Sequence, residues 1–247
     1  MKGLLKIGIL EFDIQWLDAE ANIELIRKRI EESAGSIDLL ILPEMCLSGF
    51  CMKPELAAIS EDAMEIKNLL EITTQYNVDL IGSFSIVENG KYFNRVLLMT
   101  DGKITGRYDK LRLFSPSGEN EVFSSKYPVS LIDYKGWKIL PQVCYDLRFP
   151  ENVRPLEAPD LLIYMANWPK PRIHHWDALL KARAIENLCF TIGCNRIGKD
   201  ENDWEYPGHS TVLAVDGAVI IPENEVYSLD YEVMTNYRSK YQFLGDK

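Results

Sequence analysis

The 247-residue sequence is poor in cations and in histidine. Lysine and arginine number 27 against 37 aspartate and glutamate, a formal charge of −10. That balance disfavours a general role on nucleic acid or an anionic membrane, and it leaves any acidic ligand to be held by local cations. The three histidines, His174, His175 and His209, offer no obvious base for a cysteine–histidine pair. His174 and His175 with Asp177 do not make a metal site, because adjacent helical residues face different ways and no further ligand stands at suitable spacing. No window approaches the roughly 18 to 20 uninterrupted apolar residues that span a bilayer. The first apolar run is broken by Lys6 and followed by Glu11 and Asp13, unlike the core of a secretory leader, so a cytoplasmic protein is expected. The five cysteines, Cys46, Cys51, Cys144, Cys189 and Cys194, are odd in number and widely spread; free thiols, not a disulfide framework, are the expectation. Low-complexity linkers are also missing, which argues against a domain boundary.

What is present is a 47% apolar chain, enough for a single domain over residues 1–247. Leu4 to Leu10 is an apolar run. Asp18 then offers a helix N-cap, Ile23, Ile26 and Ile30 recur at helical spacing, and Gly35 stops the segment. Leu39 to Leu42 predicts a buried strand, Asp62 to Tyr76 a helix, Val78 to Phe84 and Phe93 to Thr100 further strands, and Asp101-Gly102 a hairpin turn. The second half repeats the order. Strands are expected from Trp137 to Val143, Asp160 to Tyr164 and Cys189 to Gly193, with a helix through Trp176, Leu179, Leu180 and Ile185. A second Asp-Gly turn at Asp216-Gly217 predicts a hairpin from Ser210 to Ile221, and Gly198 to Gly208 is expected to be a surface loop. Alternating strands and helices with inserted hairpins predict an α/β fold of two mixed sheets, face to face, with helices outside. Residues 222–247 are expected to form an arm that packs on a partner subunit.

Residues able to do chemistry stand where apolar runs stop. Cys144 ends such a run and is followed by the polar turn Tyr145-Asp146-Leu147-Arg148-Phe149-Pro150. A strand end with free backbone N–H groups suits a nucleophile, although taken alone the residue can be one more small buried hydrophobe. Glu44 ends Leu40-Ile41-Leu42-Pro43, a strand with the composition of one buried on both faces, so its carboxylate is expected inside; an N-cap or a structural ion pair is the plainer role. Lys110 follows Tyr108-Asp109 just after a hairpin, the setting of an exposed strand end.

Taken in order, Leu42-Pro43-Glu44-Met45, Tyr108-Asp109-Lys110 and Val143-Cys144-Tyr145-Asp146-Leu147-Arg148-Phe149-Pro150 resemble the Glu-Lys-Cys signature of the nitrilase (carbon–nitrogen hydrolase) superfamily. The similarity spans essentially the whole chain, including Arg183-Ala184-Ile185-Glu186-Asn187 and Asn195-Arg196-Ile197-Gly198. Tyr164-Met165-Ala166-Asn167-Trp168-Pro169, with His175-Trp176 and the cysteine run, is most similar to the omega-amidase branch. Members of that branch hydrolyse the terminal amide of 2-oxo dicarboxylic acid monoamides such as 2-oxoglutaramate and 2-oxosuccinamate.

The resemblance implies a four-layer α-β-β-α sandwich, a homodimer formed through the helical face and the C-terminal arm, and a small anionic amide as substrate, with no metal or organic cofactor. It implies Cys144 as nucleophile, Glu44 as general base and later acid, Lys110 as the cation beside the tetrahedral intermediate, and Glu119 as a second glutamate that positions lysine and substrate. The residue types suit these roles, since a thiol of pKa ~8.5 needs a base or a nearby cation to attack an amide. The Tyr145 N–H is expected to share the oxyanion with Lys110. Arg148 is expected to grip a substrate carboxylate, with an ion pair to Asp146 or Glu151 as its alternative, and Trp168 to wall the acyl pocket. Three stretches depart from the pattern. Leu111-Arg112-Leu113-Phe114 lacks the histidine common after the lysine and puts Arg112 near the expected entrance; His209 and Phe123-Ser124-Ser125-Lys126 also differ. These bear on substrate choice more than on catalysis. Rival readings are another reaction of the same triad, on a simple amide, an N-carbamoyl amine or a nitrile; a catalytically silent binding or scaffold protein; and a redox sensor using Cys189 and Cys194.

Overall fold

The computed structural model describes residues 3–127, 129–154 and 158–246. Its first half runs β1 (Leu4–Ile9), α1 (Ala19–Ser33), β2 (Leu39–Ile41), the single turn α2 (Pro54–Ala57), α3 (Met64–Tyr76), β3 (Asp79–Glu88), β4 (Lys91–Thr100) and β5 (Lys103–Asp109). The second half begins with the turn α4 (Glu119–Val122), then β6 (Ile132–Tyr134), β7 (Trp137–Val143), β8 (Leu161–Ala166), α5 (Ile173–Asn187) and β9 (Phe190–Asn195). It closes with β10 (Ile197–Lys199), β11 (Glu205–Pro207), β12 (Thr211–Leu213), β13 (Tyr227–Asp230) and α6 (Tyr231–Lys240). Local chemistry sets the element ends. Asp18 Oδ1 caps α1 by accepting the Ala21 N–H at 3.0 Å, satisfying one of the donors a helix start leaves open. Asn77, at φ +51°, ends α3 in the left-handed conformation that asparagine tolerates better than most side chains.

The first sheet has the order β13-β1-β2-β3-β4-β5 and the second β12-β9-β8-β7-β6. β1, β2 and β3 are mutually parallel, as are β7, β8 and β9, while the flanking strands are antiparallel. Both sheets are therefore mixed. Because successive strand residues face opposite ways, each sheet serves two interfaces. Ile7, Ile41, Ile81 and Val96 meet Ile139, Val143, Ile163 and Ile192 between the sheets. Leu40, Leu80 and Leu97 point outward onto Ile23, Ile26, Ile66 and Leu69 of α1 and α3. Leu140, Leu162 and Tyr164 do the same against Trp176, Leu180 and Ala184 of α5. The result is the expected α-β-β-α stack.

Two local expectations change. Gly198–Gly208 is not a plain loop: β10 and β11 pair antiparallel, Ile197 opposite Pro207 and Lys199 opposite Glu205. Asp200 Oδ1 fastens its tip by accepting the N–H groups of Asn202 and Trp204. The segment's polar composition suits a ribbon standing outside both apolar cores, which is why it lacks a strand-like alternation. At Asp216-Gly217 the expected hairpin forms: Leu213 bridges Val219, the Ala214 N–H donates to the Ala218 carbonyl and the Ile220 N–H to the Val212 carbonyl, each at 2.8 Å. Part of the 222–247 stretch belongs to the chain's own core, since β13 extends the first sheet beside β1 and Leu229 and Met234 lie between the sheets. Its last residue, Lys247, lies outside the described residues. Among the described residues no helix is long and apolar enough to cross a membrane.

Candidate active site

Chemistry-bearing residues collect where strands of both sheets end on one side, an edge where backbone groups are left unpaired. Glu44 follows β2, Lys110 directly follows β5, Cys144 directly follows β7 and Asn167 directly follows β8. Two of these ends bend sharply: Met45 has φ +47° and Cys144 φ +46°, unusual for residues with a Cβ. The left-handed Cys144 opens a 3-10 turn through Arg148. At the first turn of such a segment the Tyr145 N–H has no intrahelical acceptor.

Lys110 is fully buried, its Nζ 2.8 Å from Glu44 Oε1 and 2.8 Å from Glu119 Oε2. Burial pushes its ammonium down, but the charges of Glu119 and Glu44 outweigh that and hold it above the ordinary lysine value. Asn94 Nδ2 bridges the two carboxylates, at 2.9 Å from each; Ser83 donates to its Oδ1 at 2.5 Å. Glu44 Oε2 also accepts the Asn167 N–H at 2.9 Å, and Glu119 Oε2 the Phe114 N–H at 2.6 Å. Every charge thus has a partner, as burial demands. The Cys144 thiol lies 3.9 Å from the Asn167 carbonyl. Burial and the Glu44 carboxylate push it well above its usual value, while Lys110 pulls it down.

Cys144 and Glu44 open onto a cavity of about 820 Å³ shared with Tyr145, Arg148, Asn167, Trp168 and Arg172, and lined also by Phe50, Phe114 and Trp204. All four residues expected to be catalytic therefore meet. Tyr145, Arg148 and Trp168 also face the same space. Arg148 pairs with neither Asp146 nor Glu151: its Nη2 lies 3.2 Å from His175 Nδ1 and its guanidinium stacks 4.8 Å from the Trp168 ring. Among the described residues no carboxylate pairs with it. Arg112 does not line this cavity; it lies against Phe149 and donates to Asn152 and Glu151. His209 also stands apart, 3.4 Å from Asp177. Cys189 and Cys194 are buried beside Thr191 and the Ile41 carbonyl, and burial raises both thiols, contrary to what a reactive pair requires.

Sequence reasoning missed Asn94 and Arg172. Asn94 carried a signal, an amide in the middle of an otherwise buried strand, whereas Arg172 in a short polar turn carried none.

The chain is similar to known proteins over most of its length. The sequence profile of the carbon–nitrogen hydrolase family matches residues 6–229. Omega-amidase YafV of Escherichia coli K12 is 36% identical over 244 residues, covering 96% of this chain and 94% of that protein. The 2-oxoglutaramate amidase of Bacillus subtilis 168 is 32% identical over 219 residues, covering 87% and 84%. The crystal structure of XC1258 from Xanthomonas campestris, a CN-hydrolase superfamily protein with an arsenic adduct in its active site, matches with TM-score 0.92 at 32% identity, covering 100% of this chain and 98% of that one. The chain belongs to the carbon–nitrogen hydrolase family. It is a hydrolase acting on carbon–nitrogen bonds.

Proposed function

We propose that this enzyme removes ammonia from the terminal amide of short 2-oxo dicarboxylic acid monoamides, of the 2-oxoglutaramate and 2-oxosuccinamate kind, through a thioester on Cys144. The observation that carries the reading is the Cys144 thiol and the Glu44 carboxylate on one cavity wall, with the Lys110 ammonium paired to that carboxylate and to Glu119, and Arg148 in the same cavity with no carboxylate partner among the described residues. Both named amidases above act on this type of bond by their descriptions.

In this reading Glu44 takes the thiol proton as Sγ attacks the amide carbon. The carbonyl oxygen gains the negative charge and faces Lys110 and the Tyr145 N–H; one well-aimed donor of this kind contributes about 3 to 4 kcal/mol. Collapse of the tetrahedral adduct breaks the C–N bond, and Glu44 returns its proton to the departing nitrogen to give ammonia. Water then enters, loses a proton to Glu44 and attacks the thioester carbon. The C–S bond breaks, the proton goes back to sulfur and the acid leaves. Arg148 supplies a planar fork that matches a substrate carboxylate, and Arg172 adds a second cation to the cavity. A homodimer belongs to this reading, supported by apolar Ile185, Val233 and Phe243 exposed on α5, α6 and the segment after them. So does a cytoplasmic location, supported by five unpaired cysteines suited to a reducing compartment.

Ammonia release from 2-oxoglutaramate, glutaramate, neutral aliphatic amides, N-carbamoyl compounds and nitriles tests the substrate assignment. Turnover should be fastest with 2-oxoglutaramate, and mass spectrometry of briefly reacted enzyme should show its acyl group on Cys144. Cys144→Ala should fold normally and release no ammonia. Preference for neutral amides would overturn the anionic assignment, and full activity in the alanine variant would overturn the mechanism.

A further inference from the structure

Asp146 takes no part in the steps above, yet it is fully buried two residues after the nucleophile. Its carboxylate accepts four hydrogen bonds. Tyr108 Oη and the Val143 N–H donate to Oδ2 at 2.8 and 2.9 Å; the Arg112 N–H and Asn152 Nδ2 donate to Oδ1 at 2.8 and 3.4 Å. Val143 immediately precedes Cys144, while Tyr108 and Arg112 stand two residues before and after Lys110. Tyr108 Oη further accepts the Leu111 N–H at 3.1 Å. One carboxylate therefore ties the end of β7, in the second sheet, to both flanks of Lys110 at the end of β5, in the first.

Such a tie has work to do. Cys144 holds φ +46°, a conformation unfavourable for a residue with a Cβ, which persists only where its surroundings over-determine it. The ion pairs of Lys110 to Glu44 and Glu119 anchor the ammonium, but they do not by themselves fix where the thiol-bearing turn lies. We propose that Asp146 is a positioning residue that sets the placement of the Cys144 thiol relative to the Lys110 ammonium by binding both strand ends to one buried acceptor. This rests on the Glu44, Lys110 and Cys144 reading above. Because its partners donate, the site requires a group that only accepts. Asparagine has nearly the same shape but turns one acceptor into a donor, which then opposes a backbone N–H on either side; only the Tyr108 hydroxyl can reverse to suit it.

The test compares Asp146→Asn, Tyr108→Phe and the double variant with the wild type, using the best amide from the substrate panel and rates normalised to thiol titratable by iodoacetamide. A misplacement of about 1 Å at a reacting centre lowers rate by on the order of 100-fold. Asp146→Asn should accordingly lose about 100-fold in kcat and Tyr108→Phe about 10-fold, with KM within about 3-fold. The double variant should fall short of the product of the two losses. The pH dependence of Cys144 alkylation should move upward in Asp146→Asn, because Lys110, which favours the thiolate, is no longer held beside it. A lowered melting temperature with unchanged kcat per titrated thiol would reduce Asp146 to a structural role and overturn the proposal. If Asp146→Asn does not fold, the isosteric Tyr108→Phe decides alone: unchanged kcat overturns, a loss at constant KM supports. An active Cys144→Ala would sink the underlying mechanism; an inactive Cys144→Ala beside fully active Asp146→Asn and Tyr108→Phe would sink this inference only.

Discussion

Glu44 and Lys110 act on the Cys144 thiol in opposite senses, the carboxylate raising its pKa and the ammonium lowering it. Glu44→Gln removes the raising charge and keeps the lysine, so thiolate forms at lower pH and iodoacetamide labelling at pH 7 should speed up. Ammonia release should nevertheless fall by about 10³-fold, because the proton carrier is gone. Faster labelling with slower turnover separates acidity from catalysis; slower labelling would contradict the electrostatics described. Asp146 offers a second pH readout. Burial pushes its carboxyl up to about 6 against the hydrogen bonds it accepts. A carboxyl with a raised native pKa contributes stability below its unfolded value near 4 and loses it as pH climbs through 6. Urea unfolding of the wild type should therefore carry a stability term that declines between pH 4 and 7, and Asp146→Asn should flatten that slope while lowering stability throughout. Glu44 and Cys144 were legible in the sequence because each ends an apolar run, whereas Lys110, in a polar stretch after a hairpin, was picked out only through the family resemblance. Arg172 and the partnership of Arg148 with His175 were not, since they depend on which segments lie side by side and no local pattern records that; Asn94 left only the mark of an amide inside a buried strand.

Helices and strands differ in how much they owe to their own sequence. α1 starts on an exposed cap, so Asp18→Ala should cost about 1 kcal/mol in urea unfolding. Ile163 in β8 is fully buried between the sheets, and Ile163→Ala should cost about 2 to 5 kcal/mol by the same measurement. Equal losses would mean that the layering described carries less of the stability than its burial implies. The same contrast explains what was readable at this scale. Buried β2, β7, β8 and β9 announce themselves as apolar runs, and α1 and α3 as helical stretches, the first closed by Gly35. The β10–β11 ribbon faces solvent and packs on neither core, so its pairing leaves no periodicity. β13 was hidden because Tyr227–Asp230 is only four residues long and pairs with a strand at the other end of the chain.

For the molecule as a whole, the charge of −10 contrasts with a cavity lined by Lys53, Arg148 and Arg172 as well as by Glu44, Asp200 and Glu201. An anion entering there must be met locally by Arg148 and Arg172 rather than drawn in by the overall field of the protein. If the proposed dimer forms, sedimentation at micromolar concentration should give twice the chain mass, and charged substitution at both Ile185 and Val233 should return it to one. A monomeric wild type would remove the dimer from the proposal without touching the active site. The partnership of β13 with β1 also has a consequence for synthesis. While the ribosome is still making residues before Tyr227, the strand from Leu4 to Ile9 has no neighbour on its outer side, and its unsatisfied backbone can recruit another nascent chain. Truncation before that point should therefore yield aggregates rather than a weakened enzyme, and the last strand to emerge is the one that seals the first.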